Sequence, residues 1–259
     1  MAIRDELQGT TLDEAEKIEL QEAASAICYP DPESRHCKHL LSELREAGIT
    51  HYISYGGVEI PRGYRLLGRG WAGNVFLAIW HDAIVAVKAL HPRSRRGSML
   101  WEAAVWTVAA WAQIAPRIYR DTRLFILVQP IYGPQLGDFH PRSCGWARHV
   151  LRRLLWKAYR LDKLGIRHGE LARPGGQVLI DLASSEPFII DYDSSTLHQN
   201  PGNLTQLVGG LKRLEWVRRC TKIGVENPTL RATLRAYKRS PSLPLFEQIL
   251  ALLGLDPLP

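Results

Sequence analysis

Residues 68–90 have the sequence GRGWAGNVFLAIWHDAIVAVKAL, in which a glycine-rich segment leads into two apolar runs. Gly68, Gly70, Gly73 and Val75 fit the pattern G-x-G-x-x-G-x-V. In a Rossmann fold the glycines would lie between a strand and a helix. Because both runs after the glycines have strand-like composition, we expect a glycine-rich β-hairpin instead. Glycine backbone can approach phosphate oxygens closely and point N–H groups at them.

Lys88 follows Gly73 by 15 residues, at the end of the apolar segment VAVK. An ammonium group in such a strand is costly to bury unless it has an anionic partner. Glu102 is the only acid in the helix that the pattern predicts over residues 98–113. A lysine that contacts both this glutamate and a nucleotide phosphate accounts for both residues. In the alternative, Lys88 extends into solvent from an edge strand and Glu102 faces solvent.

Two carboxylates, Asp191 and Asp193, end the apolar strand predicted at residues 188–193. Carboxylates in this position either form turns or bind metal. Asp191 follows four apolar residues, so partial burial favours a Mg²⁺ partner over an unpaired charge. The loop sequence GIRHGEL precedes the strand predicted at 177–180, and we expect His168 within it to pack the loop.

The rest of the 259-residue chain predicts an α+β fold. Helices are expected over residues 11–28, where Thr11 and Glu14 form a capping-box pattern, and over 33–47, with Gly48 as the stop. Antiparallel strands are expected from 52 to 90. A long basic amphipathic helix is expected at 145–164, and helices dominate from there to the C-terminus.

The charge is unevenly distributed along the chain. Residues 1–50 hold 5 basic and 11 acidic side chains, whereas residues 51–259 hold 28 and 15. Nine lysines and arginines fall within residues 212–239, against two glutamates. This pattern indicates a polyanionic partner, although a solvated helix face would have the same composition.

Composition also bears on location and on the cysteines. No apolar run approaches the ~20 residues that span a bilayer, and the acidic start is unlike a secretory signal, so a cytoplasmic location without membrane contact is expected. The four cysteines are too few and too scattered to predict a disulfide framework. A zinc site at Cys28, Cys37 and His39 would need a second ligand pair and is not expected.

Taken in chain order, GRGWAGNV, VAVK, Glu102, HGEL and IIDYD resemble the protein-kinase-like fold in its small atypical branch, with the RIO-type and lipopolysaccharide-type kinases. The resemblance covers roughly residues 52–240. More narrowly, HGEL, the D-x-acid-S-S pattern at 191–195 and NPGNLT at 200–205 resemble an archaeal family of predicted serine/threonine kinases. Some members of that family are RNA kinases that phosphorylate a ribose 2′-hydroxyl of tRNA.

The resemblance implies a two-lobed kinase-like fold. Residues 51–131 would form an N-lobe built on an antiparallel sheet, ending in a hinge, and residues 132–259 a mostly helical C-lobe. Residues 1–50 would form an acidic helical extension in front of them. The carbonyl of Gln129 and the N–H of Ile131 would contact adenine, with Pro130, which has no N–H, between them.

The resemblance also implies roles for the polar residues. Gly68, Gly70 and Gly73 would cover the phosphates of ATP, and Val75 would be a further nucleotide-binding residue. Lys88 would hold the α- and β-phosphates with Glu102 as its brace, and Asp191 would bind Mg²⁺. Glu170 stands where most kinases have the catalytic aspartate, and the narrower family also has a glutamate there. The usual asparagine metal ligand is absent, so Gln177 and Asp193 are the expected further ligands.

The expected function is therefore ATP-dependent phosphorylation of an RNA hydroxyl, most specifically in tRNA. Only about a dozen residues separate Asp191 from the helix expected near Asn203, which leaves no peptide-docking segment. The basic residues at 148–160 and 212–239 could then follow an RNA backbone. Two alternatives are an atypical protein kinase, with autophosphorylation at Ser194, Ser195 or Thr196, and a catalytically weak RNA-binding module.

Overall fold

The structure, a computed structural model, describes residues 2–3, 6–7 and 10–255. The chain divides into two compact units. Unit 1 comprises Met1–Ala110 and Pro116–Gly133, and unit 2 comprises Trp111–Ala115 and Pro134–Pro259. Helices and strands both occur, and the sheets are mainly antiparallel, so the predicted α+β class is confirmed at that level.

Unit 1 carries the strands numbered below and three helices among its described residues. The strands are β1 (Ala2–Ile3), β2 (Glu6–Leu7), β3 (Thr10–Thr11), β4 (Glu16–Glu19), β5 (Ile49–Ser54), β6 (Val58–Glu59), β7 (Arg65–Leu66), β8 (Gly68–Arg69), β9 (Gly73–Trp80), β10 (Ala83–Leu90), β11 (Ile118–Asp121), β12 (Phe125–Val128) and β13 (Ile131–Tyr132). The helices are α1 (Ala24–Ile27), α2 (Arg35–Glu46) and α3 (Leu100–Trp111), which ends one residue inside unit 2.

The main sheet of unit 1 has the strand order β11-β12-β10-β9-β5-β4, and β8 pairs with β9. β9 and β10 are joined by the two-residue turn His81–Asp82, whose φ angles of 47° and 63° are both positive. Turns of this kind match the right-handed twist of the strands they connect. The antiparallel strands predicted for residues 52–90 are therefore confirmed.

The helix predicted over residues 11–28 is wrong. The amide N–H of Thr11 does donate to Glu14 Oε2 at 3.0 Å, as a capping box would require, but the chain continues as β4, which pairs antiparallel with β5. Only Ala24–Ile27 is helical in this stretch. A free sheet edge that accepts a strand and buries Ile18 outweighs the helix propensity of Glu and Lys, which is only a fraction of a kcal/mol per residue.

The second predicted N-terminal helix is confirmed as α2. Ser34 caps it, because its Oγ accepts a hydrogen bond from the Cys37 N–H at 3.1 Å. Leu40 and Leu44 are fully buried and pack with β5, β9 and β10 in one hydrophobic cluster. β4 and α2 both contribute side chains to the hydrophobic cluster of unit 1.

Both pairs of cysteines form disulfides, contrary to the sequence prediction. Cys28 follows α1 and Cys37 lies in the first turn of α2, with 5.6 Å between their Cα atoms. Cys144 and Cys220 are 76 residues apart in sequence, yet their Cα atoms are 4.9 Å apart. The prediction failed because sequence spacing does not report which helix ends meet in space.

Unit 2 is mostly helical in its described residues. Its helices are α4 (Cys144–Lys163), α5 (Asn203–Leu211), α6 (Glu215–Cys220), α7 (Pro228–Arg239) and α8 (Leu243–Leu252), and its strands are β14 (Ile166–Arg167), β15 (Val178–Asp181), β16 (Glu186–Ile189) and β17 (Thr196–Leu197). The pairs β14–β17 and β15–β16 are antiparallel. The long helix predicted at 145–164 is confirmed as α4. Among the described residues, no helix has the length and apolar character needed to cross a membrane.

One buried carboxylate joins three elements of unit 2. Asp162, near the end of α4, is 4% exposed. Its Oδ1 accepts from the N–H and the side-chain Nδ2 of Asn203 at 2.7 and 2.8 Å, and its Oδ2 accepts from the Leu204 N–H and the Tyr237 hydroxyl at 3.2 and 2.9 Å. Burial raises the pKa of Asp162, and these hydrogen bonds oppose that rise. The carboxylate thereby caps α5 and fastens α7 to α4.

We predict that Asp162→Asn destabilises the protein by about 2–4 kcal/mol, because the amide NH₂ would face groups that also donate. The free energy of unfolding measured with denaturant checks this. The control is Asp82→Asn, at an exposed turn position with positive φ that asparagine adopts readily, and it should cost less than about 0.5 kcal/mol. Equal effects of the two substitutions would contradict the role of Asp162.

Candidate functional site

The glycine-rich segment forms the predicted hairpin. β8 pairs antiparallel with β9, so that Gly68 lies opposite Val75. The tip is closed by a hydrogen bond from the Gly70 N–H to the Gly73 carbonyl at 3.0 Å, and Trp71 between them is 96% exposed. Because strands lie on both sides of the glycines, the Rossmann arrangement is excluded.

Gly73 permits a close approach between two strands. A Cβ atom at this position would lie 2.5 Å from the backbone oxygen of Ala89 on β10, which is closer than real Cβ contacts. At Gly70 the same construction meets no atom within 4 Å. Of these two positions, packing therefore requires glycine at 73 but not at 70.

Lys88 and Glu102 form a buried ion pair. Lys88 Nζ is 2.6 Å from Glu102 Oε1, and the two residues are 5% and 4% exposed. Lys88 lies on β10, which has β9 and β12 on its two sides, and Glu102 lies in the first turn of α3. The alternative of a lysine extending from an edge strand into solvent is thus excluded.

The residues predicted to contact adenine lie at the end of unit 1. The Gln129 N–H donates to the Arg117 carbonyl at 2.8 Å, and Gln129 Oε1 accepts from the Arg117 N–H at 3.4 Å. Ile131 lies in β13, which pairs in parallel with β1, so that Ile131 is opposite Ala2. β1 lies beside the segment that would have to receive adenine. The adenine contact stays a prediction.

In unit 2, His168 packs the loop that carries Glu170. His168 is fully buried, and its Nε2 lies 2.9 Å from the Ile190 carbonyl, to which it must donate. Its Nδ1 accepts from the Glu170 N–H at 3.4 Å, and its own N–H donates to Asn203 Oδ1 at 3.0 Å. His168 therefore links the loop, the end of β16 and α5, in line with the predicted packing role.

Gly169 lets this loop pass close to the residues after β16. Its φ angle is 92°, and a Cβ atom would lie 2.9 Å from Ser194 Oγ. Ser194 Oγ in turn donates to the His168 carbonyl at 3.1 Å. Any other residue at position 169 would be strained and would push Ser194 away, so glycine is required between His168 and Glu170.

Glu170, Gln177 and the segment before Asp191 meet in unit 2. Gln177 Nε2 donates to Glu170 Oε2 at 2.7 Å, and the Gln177 carbonyl accepts from the Ile190 N–H at 3.0 Å. Asp191 has a φ angle of 68°, in the left-handed region that few non-glycine residues occupy. Backbone strain of this kind concentrates at functional sites, where it aims a side chain.

The chemistry of these donors can be tested against Mg²⁺. Gln177 Oε1 is buried without a hydrogen-bond partner, which is what an amide oxygen reserved for a cation would show. No group of three or more His, Cys, Asp or Glu side chains in the described part of the chain is placed to hold a metal. Mg²⁺ commonly takes one or two protein ligands and completes its shell with phosphate and water oxygens, so Asp191 and Gln177 fit it. Asp193, the third expected ligand, lies two residues beyond Asp191 and is partly buried.

The predicted RNA surface divides into used and exposed cations. Lys157 is 4% exposed, and its Nζ is 2.5 Å from Glu186 Oε1. Burial lowers the pKa of Lys157 to about 8, although Glu186 opposes this. Arg153 also pairs with Glu186. Lys157 is thus unavailable to RNA, and the 148–160 patch is smaller than predicted.

The 212–239 segment keeps more of its charge at the surface. A cavity of 770 Å³ in unit 2 is lined by Asn200, Ala232, Arg235, Lys238 and Arg239. The three cations all lie on α7 and are exposed. One face of this helix therefore presents a concave basic surface, of the kind that tracks a phosphate backbone.

The sequence reasoning missed the Asp162–Asn203 pair that positions the His168 loop. A signal was present, because Asp162 lies four residues after Ala158 and seven after Leu155, on the buried face of α4. A lone acid on an apolar helix face needs partners. The sequence matches no protein-family model and no curated protein.

We predict that Gly73→Ala destabilises the protein by about 1–3 kcal/mol, since β9 or β10 must shift to relieve the contact with Ala89. Gly70→Ala is the matched control and should change stability by less than about 0.5 kcal/mol. Thermal or denaturant unfolding of the two variants measures both values. A larger loss for Gly70→Ala would mean that the hairpin is packed differently.

Proposed function

We propose that the protein is an ATP-dependent phosphotransferase that phosphorylates a hydroxyl of RNA, most specifically a ribose 2′-hydroxyl of tRNA. The observation that carries this proposal is the buried pair Lys88–Glu102, in the same unit as a glycine-rich hairpin. Burying an ammonium and a carboxylate costs several kcal/mol each unless a close contact between them and further hydrogen bonds compensate. Holding the phosphates of ATP is a function that needs both features.

Unit 1 would hold the nucleotide. The backbone of Gly68 to Gly73 would cover the phosphates, and the Lys88 ammonium would offset their negative charge. Glu102 would keep the ammonium in place, because its contact at 2.6 Å fixes the end of a side chain that otherwise has many rotamers. Such positioning supplies most of the catalysis in phosphoryl transfer.

Unit 2 would supply the base and the metal ligands. The acceptor oxygen would bond to the γ-phosphorus while the bond from that phosphorus to the β–γ bridging oxygen breaks, and ADP would leave. Glu170 would take the hydroxyl proton, with its carboxylate oriented by Gln177. Mg²⁺ held by Asp191 and Gln177 would neutralise phosphate charge.

RNA is favoured as the acceptor by charge and by the short segment after Asp191. α5 begins at Asn203, and Ser194 and Ser195 in between are engaged by the His168 and Tyr192 carbonyls. This leaves little chain for docking a peptide. The basic face of α7 offers cations that a phosphate backbone would contact.

A protein kinase is the second candidate, because Thr196 is exposed and could accept phosphate from the same enzyme. Incubation with γ-labelled ATP and three acceptor conditions discriminates the candidates: total tRNA, a generic protein, and no acceptor. Label in tRNA is the expected result. Label in protein or in the chain itself would favour a protein kinase, and absence of transfer with retained tRNA binding would favour an RNA-binding module.

We predict that the double variant Lys88→Met/Glu102→Gln folds but loses at least about a hundredfold in turnover. Lys88→Ala alone would leave a buried unpaired carboxylate and could unfold the chain, which is why both charges are removed together.

Glu170→Gln should abolish transfer with ATP affinity little changed, since the base acts only on the acceptor. Asp191→Asn should lower turnover at least about a hundredfold.

Turnover of labelled ATP, ATP affinity and circular dichroism of each variant provide the measurements. More than about a tenth of the parent turnover in the Lys88→Met/Glu102→Gln or Asp191→Asn variant would remove those residues from the site. An active Glu170→Gln variant with an inactive Glu170→Asp variant would make Glu170 structural and place the base elsewhere.

We predict that Arg235→Gln/Lys238→Gln/Arg239→Gln weakens tRNA binding and lowers the slope of log affinity against log salt concentration by about three, because each lost phosphate contact releases about one counterion fewer. Arg231→Gln is the matched control on the same helix, since Arg231 pairs with Glu226. Fluorescence anisotropy of labelled tRNA across a salt series measures the slope. Identical slopes for the parent and the triple variant would exclude α7 as an RNA surface.

A further inference from the structure

Unit 1 contains a second polar cavity, with a volume of 470 Å³, between α2 and the segment that connects β10 to α3. The titratable side chains that line it are three histidines, two arginines and one glutamate: His36, His39, His91, Arg96, Arg123 and Glu43. Neither the glycine-rich hairpin nor the Lys88–Glu102 pair is part of this lining. The proposed phosphate transfer therefore gives no role to the cations of this cavity.

Hydrogen bonds to the backbone hold the walls of the cavity in place. His36 Nε2 lies 2.9 Å from the Leu90 carbonyl, and Arg123 Nε donates to the Gly97 carbonyl at 2.9 Å. His91 Nδ1 accepts from the Arg93 N–H at 3.1 Å. His36, His91 and Arg123 are thus positioned before a ligand arrives, which lowers the entropic cost of binding one.

Two arginines against one glutamate give the lining of this cavity a positive formal charge. Burial lowers the pKa of His91, and Arg69, Arg93 and His36 lower it further. Nearby cations that disfavour another positive charge favour an anion at the same place. Glu43, the acid of this lining, partly offsets them.

The surroundings of the cavity extend the positive surface. Arg93 and Arg95 are exposed in the same connecting segment. The His91 N–H donates to the Ala72 carbonyl at 3.1 Å, so the segment is attached to the glycine-rich hairpin. A polyanion that enters the cavity with one phosphate would therefore meet further cations beside it, whereas a single small anion would not need them.

We propose that this cavity binds a backbone phosphate of the RNA acceptor and so forms a second RNA contact, in unit 1. The choice of RNA rests on the proposed function. The phosphate would accept hydrogen bonds from Arg96, Arg123, His39 and His91, while His36 keeps its Nε2 proton on the Leu90 carbonyl. The cavity is large enough for one nucleotide-sized group.

The test compares the full chain with the variant Arg96→Gln/Arg123→Gln in the absence of ATP. Fluorescein-labelled tRNA is titrated at several salt concentrations. The expected result is a loss of about tenfold or more in affinity and a salt slope lower by about two. Arg45→Gln, on the exposed side of α2 outside the cavity lining, is the control and should change the slope by one unit or less. Arg123→Lys keeps the charge without the guanidinium fork and should retain part of the affinity.

A second arm titrates inorganic phosphate into the parent and follows the histidine imidazole signals by NMR. Weak shifts confined to signals that His36→Gln, His39→Gln or His91→Gln removes would support the phosphate site. Unchanged tRNA affinity and slope in the double arginine variant would overturn the inference, and saturation by inorganic phosphate alongside that result would identify free phosphate as the occupant. Because no readout involves transfer from ATP, loss of the proposed enzymatic activity would leave these results unaffected.

Discussion

The buried carboxylate of Asp162 is the interaction on which the arrangement of unit 2 depends. A carboxylate can be kept out of water only if its lone pairs are filled by donors, and here Asn203, Leu204 and Tyr237 provide them. Asn203 then uses its remaining groups on the Ile166 carbonyl and the His168 N–H. The position of the loop that carries Glu170 is thus set by a residue outside the proposed site.

The corresponding constraint in unit 1 is the ion pair between Lys88 and Glu102. Neither charge is tolerable alone in that environment, so β10 and the start of α3 must be placed together. The two constraints are of one kind. In unit 1 the buried ion pair fixes the backbone beside the glycine-rich hairpin, and in unit 2 the buried carboxylate fixes the loop that carries Glu170. The chemistry proposed for the site depends on both.

The features that could be predicted from the sequence are those encoded by residues close together in the chain. The β9–β10 hairpin, α2, α4 and the Lys88–Glu102 pair are encoded by short patterns of apolar spacing, capping and one unpaired charge, and the structure contains all of them. The strand at Glu16–Glu19 could not be recognised, because its partner β5 lies some thirty residues away and offers the edge only after folding. Both disulfides and the burial of Lys157 against Glu186 depend likewise on contacts between distant segments. The counter-ion of a buried lysine is local in one case and remote in the other, and only the first was found.

The turn at His81–Asp82 helps to set which face of the sheet carries the ammonium of Lys88. Side chains along a strand alternate between the two faces, and Val87 and Ala89 on either side of Lys88 belong to the hydrophobic cluster that α2 covers. Lys88 therefore points to the opposite face because the ladder is in its present register, with Lys88 opposite Val75. A slip of one residue would exchange every side chain of β10 between faces and drive the lysine into the apolar layer. Two residues with positive φ, seven and six positions away in sequence, thus decide which side of the sheet carries the charge.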